Sequence, residues 1–190
     1  MPQNKVYLSF GRHERYGTDT PILREDMLAA YLSGQMLYNI LPLCETVYHS
    51  PLERAVCTAK FEALGLKCTH LLENDSLEES ATSFVIQRLV NAIIENSSNE
   101  EHYYHLVTHL PVIEKLGLPF LAAGEICLLT ADSWQEMLSE NFSIQVFKKP
   151  EISAELWQRL NLTYSDLTKM NVGEIYALIS AFGKELDMQK

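Results

Sequence analysis

A three-layer α/β/α sandwich around a mainly parallel sheet is the fold this sequence predicts. Short apolar runs alternate along the chain with longer segments of helical periodicity, the pattern of βαβ units. Three runs end in polar residues that lead directly into a loop or helix, as strands do at the carboxyl edge of such a sheet. Of the 190 residues 47% are hydrophobic, enough for one substantial core.

Lys5-Val-Tyr-Leu-Ser-Phe10 reads as a buried strand ending at Gly11, and residues 11–20 as loop. Met27, Leu28, Tyr31, Leu32, Met36 and Leu37 recur at helical spacing within 23–41, and Pro42 closes that helix. Residues 45–49 form a weaker strand candidate. Ser50-Pro51-Leu52-Glu53 predicts a helix start, with Ser50 as cap, Pro51 at the first position and Glu53 completing a capping box; this helix stops at Gly65. A short strand is expected at 68–72 and an amphipathic helix at 84–94, broken by Ser97-Ser98-Asn99. Residues 105–108 read as a strand ending at His109, with a helix over 111–116. Two late strands, 125–130 and 143–147, are joined by a loop around Trp134.

The tail is helical over 171–186, where Val172, Ile175, Ile179, Phe182 and Leu186 share a face and Asn171 and Glu174 are cap and box partner. Two units result: an α/β domain at 1–149 and a helical extension at 150–190 packed on it. A homodimer contact through that helix is the second reading of its apolar face.

A formal charge of −10 argues against a nucleic-acid or anionic-membrane surface, and no run of eighteen apolar residues spans a bilayer. Met1-Pro2-Gln3-Asn4-Lys5 lacks a secretory stretch, so a cytoplasmic protein with reduced thiols at Cys44, Cys57, Cys68 and Cys127 is expected. His49, His70, His102 and His105 have no metal-ligand spacing, and neither metal nor cofactor is expected. Glu78-Glu79 and Glu100-Glu101 read as solvated helix ends, Trp134 and Trp157 as packing residues.

The chemistry sits at three strand ends: Arg12-His13, the Ser50–Arg54 turn, and Thr108-His109. Two guanidiniums can neutralise a phosphoryl dianion through directed hydrogen bonds. A neutral imidazole can attack phosphorus, and a second can donate to the transferring oxygens. Helix starts near Ser50 and Leu110 would add backbone donors. Each histidine also has a plainer reading, His13 as a loop residue and His109 as a satisfied core histidine.

These residues carry a resemblance to the histidine phosphatase superfamily, the phosphoglycerate-mutase-like fold, and within it to phosphohistidine phosphatases of the SixA type. Ser50-Pro-Leu-Glu-Arg54-Ala55 with Thr58 resembles its SPxxRAxxT element, and Val107-Thr-His109-Leu-Pro111 its strand-end histidine motif. Arg12-His13 resembles the RHG motif, and Thr20-Pro21-Ile22-Leu23 the start of its first helix. The resemblance spans roughly residues 5–149. It implies that His13 is the phosphorylated nucleophile and that Arg12, Arg54 and His109 bind the phosphoryl group.

Glu14 stands where the family has glycine, and a second alignment sets Phe10-Gly11 on the RH positions. No carboxylate follows His109 immediately. Glu73 is therefore the candidate general acid, with Asp75 beside it, and a good leaving group is favoured. The resemblance thus implies a metal-independent phosphatase for protein phosphohistidine or a small phosphorylated metabolite. The alternative is a catalytically impaired relative that binds phosphorylated partners or acts as a scaffold.

Overall fold

The computed structural model describes residues 5–97 and 102–188. Met1–Asn4, Ser98-Asn99, Glu100-Glu101 and the Leu186 side chain lie outside what is described, so the expectations at those positions stay with the sequence.

In chain order the elements are β1 (Val6–Arg12), α1 (Arg24–Ile40), β2 (Cys44–His49), α2 (Glu53–Leu66), β3 (Leu71–Glu73), a 3₁₀ turn at Asp75–Leu77, and α3 (Ser83–Glu95). There follow β4 (Tyr103–Thr108), α4 (Leu110–Lys115), β5 (Ile126–Ala131), α5 (Trp134–Leu138), β6 (Ser143–Phe147), α6 (Ala154–Arg159), α7 (Tyr164–Leu167) and α8 (Val172–Met188). The sheet order is β3-β2-β4-β1-β5-β6. The four strands β3, β2, β4 and β1 pair in parallel, and β5 and β6 are added antiparallel.

Alternation along the strands divides the core. Leu8, Phe10, Leu106, Cys127 and Leu129 face α3, α4 and α5, whereas Tyr103, Val107, Ile126 and Leu128 face α2 and the end of α1. A third apolar cluster joins the outer sides of α1 and α2 to Leu160, Leu167, Ile175 and Ile179. The C-terminal helices therefore dock on the helical layer, not on the sheet. The Asn171/Glu174 cap pair forms as expected, Glu174 N–H donating to Asn171 Oδ1 at 3.0 Å and Asn171 N–H to Glu174 Oε2 at 2.7 Å.

Helices α1 and α2 cross unusually close. A Cβ on Gly34 would stand 2.1 Å from the Glu62 carbonyl oxygen, and one on Gly65 would stand 2.2 Å from that of Tyr31. Gly65 is thus a packing residue and does not stop the helix, which runs on to Leu66 and ends at left-handed Lys67.

The expected cap at Ser50 is also corrected. Helix α2 starts at Glu53 after Leu52, with no side-chain cap. The strand expected at 68–72 is shorter and later, at Leu71–Glu73. The four cysteines are buried free thiols, and Trp134 is buried in the core. No described helix is long and apolar enough to cross a membrane.

One polar chain runs through the α2 side of the sheet. Ser9 Oγ lies 2.6 Å from His105 Nδ1, and His105 Nε2 lies 2.9 Å from Glu62 Oε2, all of them at most 1% exposed. Sealed from solvent, this serine, histidine and carboxylate tie β1 and β4 to α2.

Candidate active site

The carboxyl ends of β2, β4 and β1 lie side by side, and each delivers predicted residues. His13 extends the ladder past β1, its N–H donating to Thr108 O at 3.0 Å; Ser50 does the same past β2, donating to Val107 O at 3.1 Å. His109 follows β4 directly and caps α4 by its backbone. The His13 and His109 rings end 4.9 Å apart between centroids. Arg54 reaches them from the first turn of α2.

The tautomer of His13 follows from its two bonds. Nδ1 lies 2.6 Å from the carbonyl oxygen of Glu14, and a carbonyl only accepts, so Nδ1 carries the proton. Nε2 keeps its lone pair and accepts from Arg54 Nε–H at 3.0 Å. Burial, opposed by the Glu14 carbonyl and reinforced by Arg54 and Arg12, lowers the His13 pKa to about 4. His109 is lowered to about 3, by burial and then by His13 and the two arginines. Both imidazoles are therefore neutral at neutral pH.

His109 is completely buried, with Nε2 2.8 Å from Ser50 Oγ. Ser50 also accepts the Leu52 N–H, at 3.3 Å. The residue read as a helix cap thus orients a site histidine. His109 Nδ1 has no hydrogen-bond partner and lies 3.4 Å from Glu79 Oε1.

Each nitrogen of Arg54 has a partner: Nε donates to His13, Nη1 to the Tyr16 hydroxyl and Nη2 to Glu79 Oε1. Arg12 donates Nη1–H to Leu121 O at 2.8 Å, and its buried Nε has no partner. Its charge is felt by both histidines.

Glu79 is the residue that the sequence reading missed. It lies in the turn before α3, and Lys115 of α4 holds that turn by donating to Glu79 O at 2.9 Å and Ala81 O at 2.7 Å. Glu73 ends exposed at the tip of β3, and Asp75 is exposed beside it. Among the described residues neither is hydrogen-bonded to His13, Arg54 or His109. The carboxylate at the site is Glu79.

His13, Glu79 and His109 each offer a ligand atom within 4.8 Å of one another. Arg54 already occupies the His13 lone pair and Glu79 Oε1, and Arg12 adds a second positive charge. An anion suits this arrangement better than a cation. His105, four residues before His109, points to Glu62 on the α2 side and takes no part.

Glu14 does not enter the pocket. Its carboxylate is buried with Oε2 2.7 Å from Lys149 Nζ, and it lies over Gly124, where a Cβ would stand 2.5 Å from it. Gly124 also has a φ of +77°, so both backbone and space require glycine there. Burial raises the Glu14 pKa to about 8, with Lys149 opposing and Asp26 and Glu62 adding to the rise.

No protein-family model and no curated protein matches the sequence. Solved structures do match. A SixA protein from Nakamurella multipartitia superposes with a TM-score of 0.61 at 17% identity, over 80% of this chain and 100% of that one. The protein histidine phosphatase SixA complexed with tungstate gives 0.61 at 17%, over 73% and 94%. A phosphoglycerate mutase from Plasmodium falciparum gives 0.53 at 19%, over 80% and 96%. With this strand order and helices on both faces of the sheet, the chain has the fold of the histidine phosphatase superfamily, the phosphoglycerate-mutase-like α/β/α sandwich that SixA shares.

Proposed function

We propose that the chain is a metal-independent phosphatase that works through phospho-His13. The observation carrying this is the neutral His13 ring, whose Nε2 lone pair faces the Arg54 guanidinium and whose centroid lies 4.9 Å from that of His109. The tungstate in one similar structure, a tetrahedral oxyanion, is in keeping with a phosphoryl site on this fold.

In the first step Nε2 attacks phosphorus, the P–N bond forms and the bond to the leaving group breaks. Arg54 and Arg12 bind the equatorial oxygens. His109 Nδ1 donates to them once it carries a proton, its Nε2 then accepting from Ser50 Oγ. Glu79, displaced from Arg54 by the phosphoryl group and protonated by the monoanionic substrate, returns that proton to the leaving group. In the second step water attacks phosphorus, the P–N bond breaks, and Glu79 takes the water proton back. Glu79 replaces Glu73 in this role.

Protein phosphohistidine is the favoured substrate and a small phosphomonoester the second. An open cavity of about 470 Å³ adjoins Arg54 and is bounded by Tyr16, Thr20, Leu52 and Glu53. Its acidic wall, Asp19 and Glu53, suits an uncharged or cationic leaving group such as imidazole. The scaffold alternative drew on Glu14, whose carboxylate is paired with Lys149 and leaves the pocket clear of it.

Labelled substrate, quenched at alkaline pH, should leave acid-labile phosphate on the wild type and none on His13→Ala, with turnover unaffected by chelators. Equal labelling of both proteins, or of neither, rules the mechanism out.

A further inference from the structure

Two lysines follow β6, and each crosses to a loop that borders His13. Lys148 Nζ lies 2.7 Å from Glu125 Oε1, and the Glu125 carbonyl accepts the Arg12 N–H at 3.0 Å. Lys149 is the more central. Its Nζ lies 2.7 Å from Glu14 Oε2 and 2.5 Å from Asp26 Oδ1.

The two carboxylates depend on it unequally. Asp26 is also held by Arg15, through Nε at 2.9 Å and Nη2 at 2.8 Å, and so keeps a cation without Lys149. Among the described residues Glu14 has no second donor: Oε1 has no partner and Oε2 has Lys149. The other charged groups felt at Glu14 are Asp26 and Glu62, which add to the rise of its pKa, and Arg15, which is committed to Asp26.

The backbone of Glu14 meanwhile sets the nucleophile. Its carbonyl accepts the His13 Nδ1–H, and its N–H donates to Thr58 Oγ1 at 3.1 Å. A buried carboxyl with no donor moves towards water, and the peptide carrying it moves too. Displacing that carbonyl removes the acceptor that holds the proton on Nδ1, so the ring can turn or exchange tautomers and the lone pair that faces Arg54 is no longer fixed.

We infer that Lys149 is a positioning residue for His13: by holding the buried Glu14 carboxyl it fixes the Glu14 carbonyl that locks His13 with its proton on Nδ1. This rests on His13 being the nucleophile. It also gives the segment after β6 a part in the site, and makes Lys149 the compensation for Glu14 where the family has glycine.

The test compares wild type, Lys149→Met, Lys149→Arg and Glu14→Ala/Lys149→Met. Long-range ¹H–¹⁵N spectra of the His13 ring report its tautomer without any turnover, and p-nitrophenyl phosphate gives kcat and KM. Lys149→Met is expected to lose the single Nδ1–H tautomer and to lower kcat about ten-fold or more, with KM within about three-fold of wild type. Lys149→Arg should keep the wild-type ring spectrum. The double variant, with no carboxyl to hold, should regain both the tautomer and most of kcat.

A Lys149→Met protein with the wild-type tautomer overturns the inference. So does a double variant no better than the single one. If Lys149→Met does not fold, the Arg and double variants decide by the same spectra. A wild type that shows the ordered tautomer but neither turns over nor labels sinks the phosphatase reading alone.

Discussion

Arg54 donates its Nε–H to Nε2 of His13 at 3.0 Å, so the guanidinium covers the lone pair of the histidine proposed as nucleophile. The same guanidinium holds Tyr16 and Glu79. In the proposed mechanism a phosphoryl group draws the Nε donor of Arg54 to itself and so uncovers Nε2.

Three directed donors from one planar group are beyond a lysine. Arg54→Lys should therefore lower kcat/KM by about 10²–10³-fold, the scale of losing a directed donor to transition-state charge. Steady-state kinetics on p-nitrophenyl phosphate would check it, and a loss below about three-fold would contradict the pocket.

The acid limb of the rate profile should lie unusually low. His13 is lowered to about 4 from an ordinary 6.5. Its neutral form is present above that value and disappears as pH falls through it, so kcat/KM should hold between pH 7 and 5 and fall near pH 4. A limb near 6.5 would mean that His13 is solvated and outside the pocket.

In the proposed mechanism Glu79 competes with phosphate for Arg54 and also returns the proton to the leaving group. Glu79→Gln should bind vanadate more tightly than wild type while hydrolysing an alkyl phosphate about 10²-fold more slowly. The defect should shrink for p-nitrophenyl phosphate, whose leaving group needs little protonation. Calorimetry and a leaving-group series measure the two effects separately.

The sealed chain Ser9–His105–Glu62 belongs to stability. Glu62→Ala leaves His105 Nε2 buried without its partner and should cost about 2–4 kcal/mol in urea unfolding. A change below about 1 kcal/mol would show that the network contributes little.

What was legible in the sequence was whatever the chain carries in local runs. β1 and β4 are apolar runs closed by polar residues, and Arg54 and His109 stand in compact motifs one step beyond strand ends. Ser50 was misread because Ser-Pro-Leu-Glu has the same pattern whether its hydroxyl takes a helix N–H or a distant imidazole. Glu79 left no local signal. It reaches the site because Lys115, 36 residues away, pins its turn, and nothing in Glu78-Glu79 distinguishes it from a solvated pair. Lys149 is the same case at longer range, bound to a residue 135 positions earlier. Periodicity and capping describe neighbours along the chain, whereas these contacts depend on how the loops fold over the sheet edge.

The partners of Arg54 set an admission rule for the proposed pocket. Glu79 offers it a carboxylate and Tyr16 a hydroxyl, so an incoming anion must outbid both. Acetate or chloride replaces one partner at most and gains little. A tetrahedral dianion can span Arg54, Arg12 and His109 together, and thereby repays the exchange. On the proposed reading the pocket disfavours small monoanions, because the protein's own side chains are the competing ligands.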